Sequence, residues 1–79
     1  MCILAVAQER RVTDDELDKM HATNGDGAGI AWREKSRPDL ELPDIVRWEK
    51  GLTLEEMKVF NAEVPLPYVV HFRIASAGL

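Results

Sequence analysis

A chain of 79 residues, 46% hydrophobic and 30% charged, is long enough for one domain with a thin core and too apolar for a disordered segment. Ten Lys and Arg residues scattered among fourteen acids, with a net charge of -4, exclude the basic footprint of a nucleic-acid binder. The apolar opening stops at Ala7 and gives way to Gln8, Glu9 and Arg10, which excludes both a signal peptide and a membrane span there.

Cys2 to Ala7 is short, continuously apolar and contains Ile3 and Val6, the pattern of a strand covered on both faces. Thr13 and Glu16 then form a capping box, and Val12 staples onto Leu17, so a helix is predicted over 14–23. Its inner face carries Leu17, Met20 and His21, and Asn24-Gly25 supplies a left-handed closing residue. Ala28, Ile30 and Trp32 alternate with smaller residues as a second strand. Arg33 to Asp44, charged and holding Pro38 and Pro43, reads as an exposed loop. The alternation from Asp44 to Lys50 predicts a third strand pairing back in a hairpin. Thr53 and Glu56 repeat the capping box, with Leu52 stapling onto Met57 and a buried stripe of Leu54, Met57 and Phe60. Pro65 and Pro67 end that helix. Tyr68 to Ser76 is the fourth strand, with Tyr68, Val70, Phe72 and Ile74 on one face and Val69, His71, Arg73 and Ala75 on the other. The order strand-helix-strand-strand-helix-strand predicts a single α+β domain over 1–79. It is also the order of ferredoxin-like domains, which place all four strands in one antiparallel sheet with both helices on one face.

Three stretches carry chemistry. Methionine ahead of a small residue is normally trimmed, which makes Cys2 the first residue of the mature chain. Its thiol then sits beside an α-amino group that titrates at about 7.7–8.0 and accepts the thiol proton, so one residue supplies nucleophile and base. The competing reading of a lone cysteine is a small buried hydrophobe. In the second stretch, Asn24-Gly25-Asp26-Gly27-Ala28-Gly29-Ile30, three glycines allow a sharp turn and close passage of another chain segment or ligand. No lysine follows them, so this is not a phosphate loop. In the third, His71-Phe72-Arg73-Ile74-Ala75-Ser76-Ala77-Gly78, an arginine stands on an otherwise apolar strand, and a substrate carboxylate suits its planar fork. A structural ion pair or a solvated head is the alternative, and His71 is assigned no chemistry. Cys2, His21 and His71 lack the spacing of a metal-ligand set, and one cysteine makes no internal disulfide. No metal or cofactor is expected, and the cytoplasm is the default compartment.

Together, Met1-Cys2-Ile3, Asp26-Gly27-Ala28-Gly29-Ile30 and the run from His71 to Gly78 resemble, in identity and order, the class II glutamine amidotransferases. These are N-terminal-nucleophile hydrolases, and the small stand-alone bacterial and phage branch is the nearest in pattern. The resemblance covers all 79 residues and implies the N-terminal half of an αββα sandwich. It implies glutamine as substrate, with Cys2 as nucleophile and Arg73, Ser76 and Gly78 on the substrate side, Arg73 gripping the α-carboxylate. Ser76 stands where threonine is usual. Ala77 stands where many members have histidine, and Thr23 where longer members have arginine. The family's Asn-Gly oxyanion pair lies past Gly78, so impaired hydrolysis by these residues alone is expected, a donor being worth about 10²–10³ in rate. A half-sandwich also exposes apolar sheet, so a homodimer or a missing C-terminal half is expected to cover it. No membrane or nucleic-acid partner is expected. The rival expectation is a small ferredoxin-like module that binds or self-assembles without catalysis.

Overall fold

The computed structural model describes residues 2–41 and 43–74. The chain is an α+β protein built from β1 (Cys2–Ala7), α1 (Asp14–Thr23), β2 (Gly27–Glu34), a 3-10 turn (Pro38–Leu40), β3 (Ile45–Leu52), α2 (Leu54–Glu63) and β4 (Tyr68–Arg73). The four strands form one antiparallel sheet in the order β1-β4-β2-β3, so β4 and β2 are central and β1 and β3 are edges. The β2–β3 hairpin overhangs the other strands, because its pairing runs on to Glu34 and Ile45 whereas β4 ends against β2 at Trp32 and Tyr68.

Both helices begin where their caps direct. Thr13 accepts from the Glu16 N–H at 3.1 Å while the Glu16 carboxylate accepts from the Thr13 N–H at 3.0 Å. Thr53 and Glu56 repeat the arrangement. Each box satisfies two backbone N–H groups that a helix start leaves open. Leu17 of α1 and Met57 of α2 are fully buried in one cluster with Ala28, Ile30, Tyr68, Val70 and Phe72. The register pairs Ala28 with Phe72, Ile30 with Val70 and Trp32 with Tyr68, so these sheet residues share a face. Both helices therefore cover the same side of the sheet.

No described residue covers the other side, and here two expectations give way. β1 is not buried on both faces: Ile3, Ala5 and Ala7 turn to the core, while Leu4 and Val6 are 67% and 61% exposed. Among the described residues two ten-residue helices cover one sheet face, and a continuous apolar run cannot reveal which. Nor does α1 close through a left-handed residue. Asn24 caps it at φ -132°, ψ 67°, its N–H donating to the Met20 carbonyl at 2.9 Å. Gly25 answers to crowding instead, since a Cβ there would stand 2.9 Å from the His21 carbonyl.

A buried polar knot ties the β1–α1 connection to α2 and β4. Val12 donates its N–H to the Tyr68 hydroxyl at 2.9 Å, and Asn61 donates its amide to the Val12 carbonyl at 2.6 Å. The Tyr68 hydroxyl donates in turn to the Asn61 side-chain carbonyl. Among the described residues no helix is long and apolar enough to cross a membrane.

Candidate functional site

Directly paired residues of antiparallel strands point to the same side, with Cα atoms about 4.5–5.5 Å apart. The register pairs Cys2 with Arg73, and Arg73 with Gly27. All three therefore lie in one row across β1, β4 and β2, on the uncovered face. The next row holds Leu4, His71, Gly29 and Lys50. Cys2 carries an exposed, free thiol, one strand away from the Arg73 side chain.

Gly27 makes that row possible. A Cβ built there would meet Arg73 Cγ at 3.2 Å and Cδ and Nε at 3.3 Å, so the arginine stem lies flat across β2 where a side chain would otherwise stand. The end of β4 is pinned beside it, the Asp26 N–H donating to the Arg73 carbonyl at 3.0 Å. On the β2–β3 side of Arg73 the sheet holds a cavity of about 510 Å³, lined by the side chains of Asp26, Lys50, His71 and Arg73 and floored by Gly27, Gly29 and Gly51. Gly51, at φ 70°, is the extra residue of a β-bulge that shifts the register between Ala28 and Gly29. Only glycine takes that φ without strain, and the bulge widens the floor. Cys2 stands on the opposite flank of Arg73 and does not line this cavity.

None of the ion pairs among the described residues involves Arg73, and the strand positions on this face carry no carboxylate. The strand positions of this face contribute Arg73, Lys50 and Arg33, and Asp26 joins Arg73 and Lys50 in lining the basin. A larger hollow of about 660 Å³ lies beside Gln8, Glu9 and Arg10. Its Glu16 carboxylate is already committed to Arg10, at 2.9 and 3.2 Å, and to the Thr13 N–H. The Arg10 hydrogen bonds, then the Thr13 donors, hold that carboxyl down at about 2. The cationic basin is thus the better candidate for binding an anion.

The structure brings Cys2 and Arg73 together, and Ser76 and Gly78 lie outside the described residues. Lys50 and Gly51 escaped the sequence reading. Lys50 serves there only as the end of the third strand, and only the glycine two residues after Glu49 hints that the strand bulges. His71 flanks the basin without any assigned role. Among the described residues no three His, Cys, Asp or Glu side chains converge as a metal site. No protein-family model, curated protein or solved structure matches the chain.

Proposed function

We propose that the chain is glutamine amidotransferase-like and hydrolyses the side-chain amide of glutamine through Cys2. The observation that supports this reading most is the pairing of Cys2 with Arg73 in one row of an uncovered sheet face. A glutamine whose α-carboxylate meets the Arg73 guanidinium has four carbon–carbon bonds with which to bring its amide carbon to the sulfur. Once Met1 is removed, the α-amino group takes the thiol proton and sulfur bonds to the amide carbon. The C–N bond then breaks, ammonia leaves with the transferred proton, and water cleaves the thioester to glutamate and free thiol. The chemistry needs thiol, amine and water, and no cofactor.

The one-sided helix layer fits the same reading. In the αββα sandwich of N-terminal-nucleophile hydrolases two sheets stack face to face, and a sheet backed by helices on one side is half of that arrangement. Arg73 serves as the carboxylate fork and, by the resemblance, Ser76 and Gly78 complete the substrate side; a cytoplasmic setting keeps the thiol reduced.

The test is covalent capture by a diazo ketone analogue of glutamine, read by intact mass. The mature chain is expected to lack Met1 and to gain one adduct on Cys2, and Arg73→Gln is expected to slow labelling about a hundredfold. Retained Met1, or labelling that ignores Arg73, overturns the reading. The noncatalytic rival draws on the single four-stranded antiparallel sheet with both helices on one side, the arrangement expected of it, and it requires Cys2→Ala to be silent in every assay.

A further inference from the structure

Arg73 and Lys50 reach the basin from opposite sides of β2. Arg73 comes from β4 and lays its stem over Gly27, its Nε 3.3 Å from where a Cβ would stand. Lys50 comes from β3, where it pairs with Gly29. Lys50 and Gly27 are therefore diagonal neighbours, about 7–8 Å apart and within reach of a long side chain. Because Gly27 and Gly29 are bare, no side chain of β2 stands between the two cations on this face. Asp26 lines the same basin, and the two cations still leave it an excess of one positive charge.

At present Lys50 leans the other way. Its Nζ stands 5.3 Å from the centroid of the Trp48 ring, and that indole is 60% exposed. A cation–π contact at so exposed a place favours this position by only about two- to fivefold. A charge-assisted hydrogen bond to a carboxylate that Arg73 also holds is the stronger partner.

We propose that Lys50 is a specificity-determining residue, leaving Trp48 to hold, with Arg73, the α-carboxylate of glutamine. The inference rests on glutamine being the substrate, and it names the second cation that selects it. The substrate then runs across the strands, its amide at Cys2 on β1 and its carboxylate above Gly27 on β2, with the Arg73 stem beneath. Lys50 makes no contact with the amide in this placement, so its loss weakens binding and leaves bond breaking alone.

Trp48 makes the movement visible. In Cys2→Ala, which lacks the attacking sulfur, tryptophan emission and calorimetric heat are followed together as L-glutamine is added. Withdrawal of the cation from the ring is expected to change the emission in step with the heat. Trp48→Phe is expected to abolish that change while glutamine binds no more weakly. Lys50→Gln is expected to weaken glutamine about tenfold, to leave glutaminamide, which lacks the carboxylate, unaffected, and to keep the circular dichroism, because Lys50 is exposed. Lys50→Arg is expected to retain most of the affinity. Absence of glutamine binding, affinity indifferent to Lys50→Gln, or emission that stays still while the site fills overturns the proposal. Capture of Cys2 by the diazo ketone separates this outcome from the fate of the hydrolysis reading. Lys50→Gln is expected to raise the half-saturating reagent concentration about tenfold at an unchanged limiting rate. Labelling that needs Arg73 and ignores Lys50 removes Lys50 from the site and leaves the hydrolysis. Lys50-dependent glutamine binding without labelling keeps Lys50 there and removes the hydrolysis.

Discussion

Arg73 shows how much a single residue can owe to a neighbour that has no side chain. Its stem occupies the space over Gly27 that a Cβ would contest at 3.2 Å, so Gly27→Ala must move the arginine by a few tenths of an ångström. The added methyl restricts the unfolded chain, so stability is expected to change by less than about 1 kcal/mol. Labelling of Cys2 by the carboxylate-bearing analogue is expected to slow about tenfold, while labelling by a small neutral thiol reagent does not change. Equal slowing of both reagents would mean that the substitution disturbs Cys2 itself. Tyr68 is the opposite case, a residue whose contribution is one buried oxygen. Removing it in Tyr68→Phe leaves the Val12 N–H and the Asn61 carbonyl without their partner, at a cost of about 1–3 kcal/mol in a denaturant titration. A cost near zero would mean that water replaces the hydroxyl.

At the scale of the element, the two capping boxes set where α1 and α2 begin, and they also tie stability to pH. The Arg10 hydrogen bonds first, then the Thr13 donors, hold the Glu16 carboxyl at about 2 against its ordinary 4.5. The Thr53 donors lower Glu56 in the same direction. A carboxyl whose folded value is depressed binds its proton more readily in the unfolded chain, so its stabilisation is whole above 4.5 and is lost as pH falls toward about 2. The urea midpoint is therefore expected to fall across that window. Glu16→Gln is expected to flatten the fall, because the amide oxygen still accepts from the Thr13 N–H while the titration and the Arg10 ion pair are gone. An unchanged acid slope in that variant would assign the pH dependence to other carboxylates.

For the whole molecule, what matters is that one sheet carries helices on one side only. Leu17 and Leu4 are the same residue type, yet Leu17 is fully buried and Leu4 stands 67% exposed. Leu17→Ala is expected to cost about 2–5 kcal/mol, whereas Leu4→Ala is expected to stay within about 0.5 kcal/mol for the monomer. Chemical denaturation at a concentration low enough to exclude association separates the two. A large cost for Leu4→Ala under those conditions would mean that the face is covered within the chain. The same asymmetry places Cys2, Arg73 and the apolar band on the free side of the sheet.

The helix starts were legible because capping boxes are local: Thr13 with Glu16, and Thr53 with Glu56, need only three residues' separation to satisfy a helix start. The strand positions and the β2–β3 hairpin were legible from alternation, although β2 ran one or two residues further at each end, β3 ran on to Leu52, and β4 stopped at Arg73, leaving Ile74, expected on the core face, 42% exposed. The polar knot of Val12, Asn61 and Tyr68 was not legible, since its members lie up to 56 positions apart and none looks unusual in its own segment. The side of β1 that stays bare was equally hidden, because a strand of apolar residues reads the same whether one face or two are covered. Cys2 and Arg73 were singled out by residue type and order alone. Their standing in one row depended on β1 pairing with β4 in a single register, and a one-residue slip would have sent them to opposite faces. Local hydrogen bonding determined where each element begins. The long-range register, which has no signature in any short stretch, decided which side chains meet.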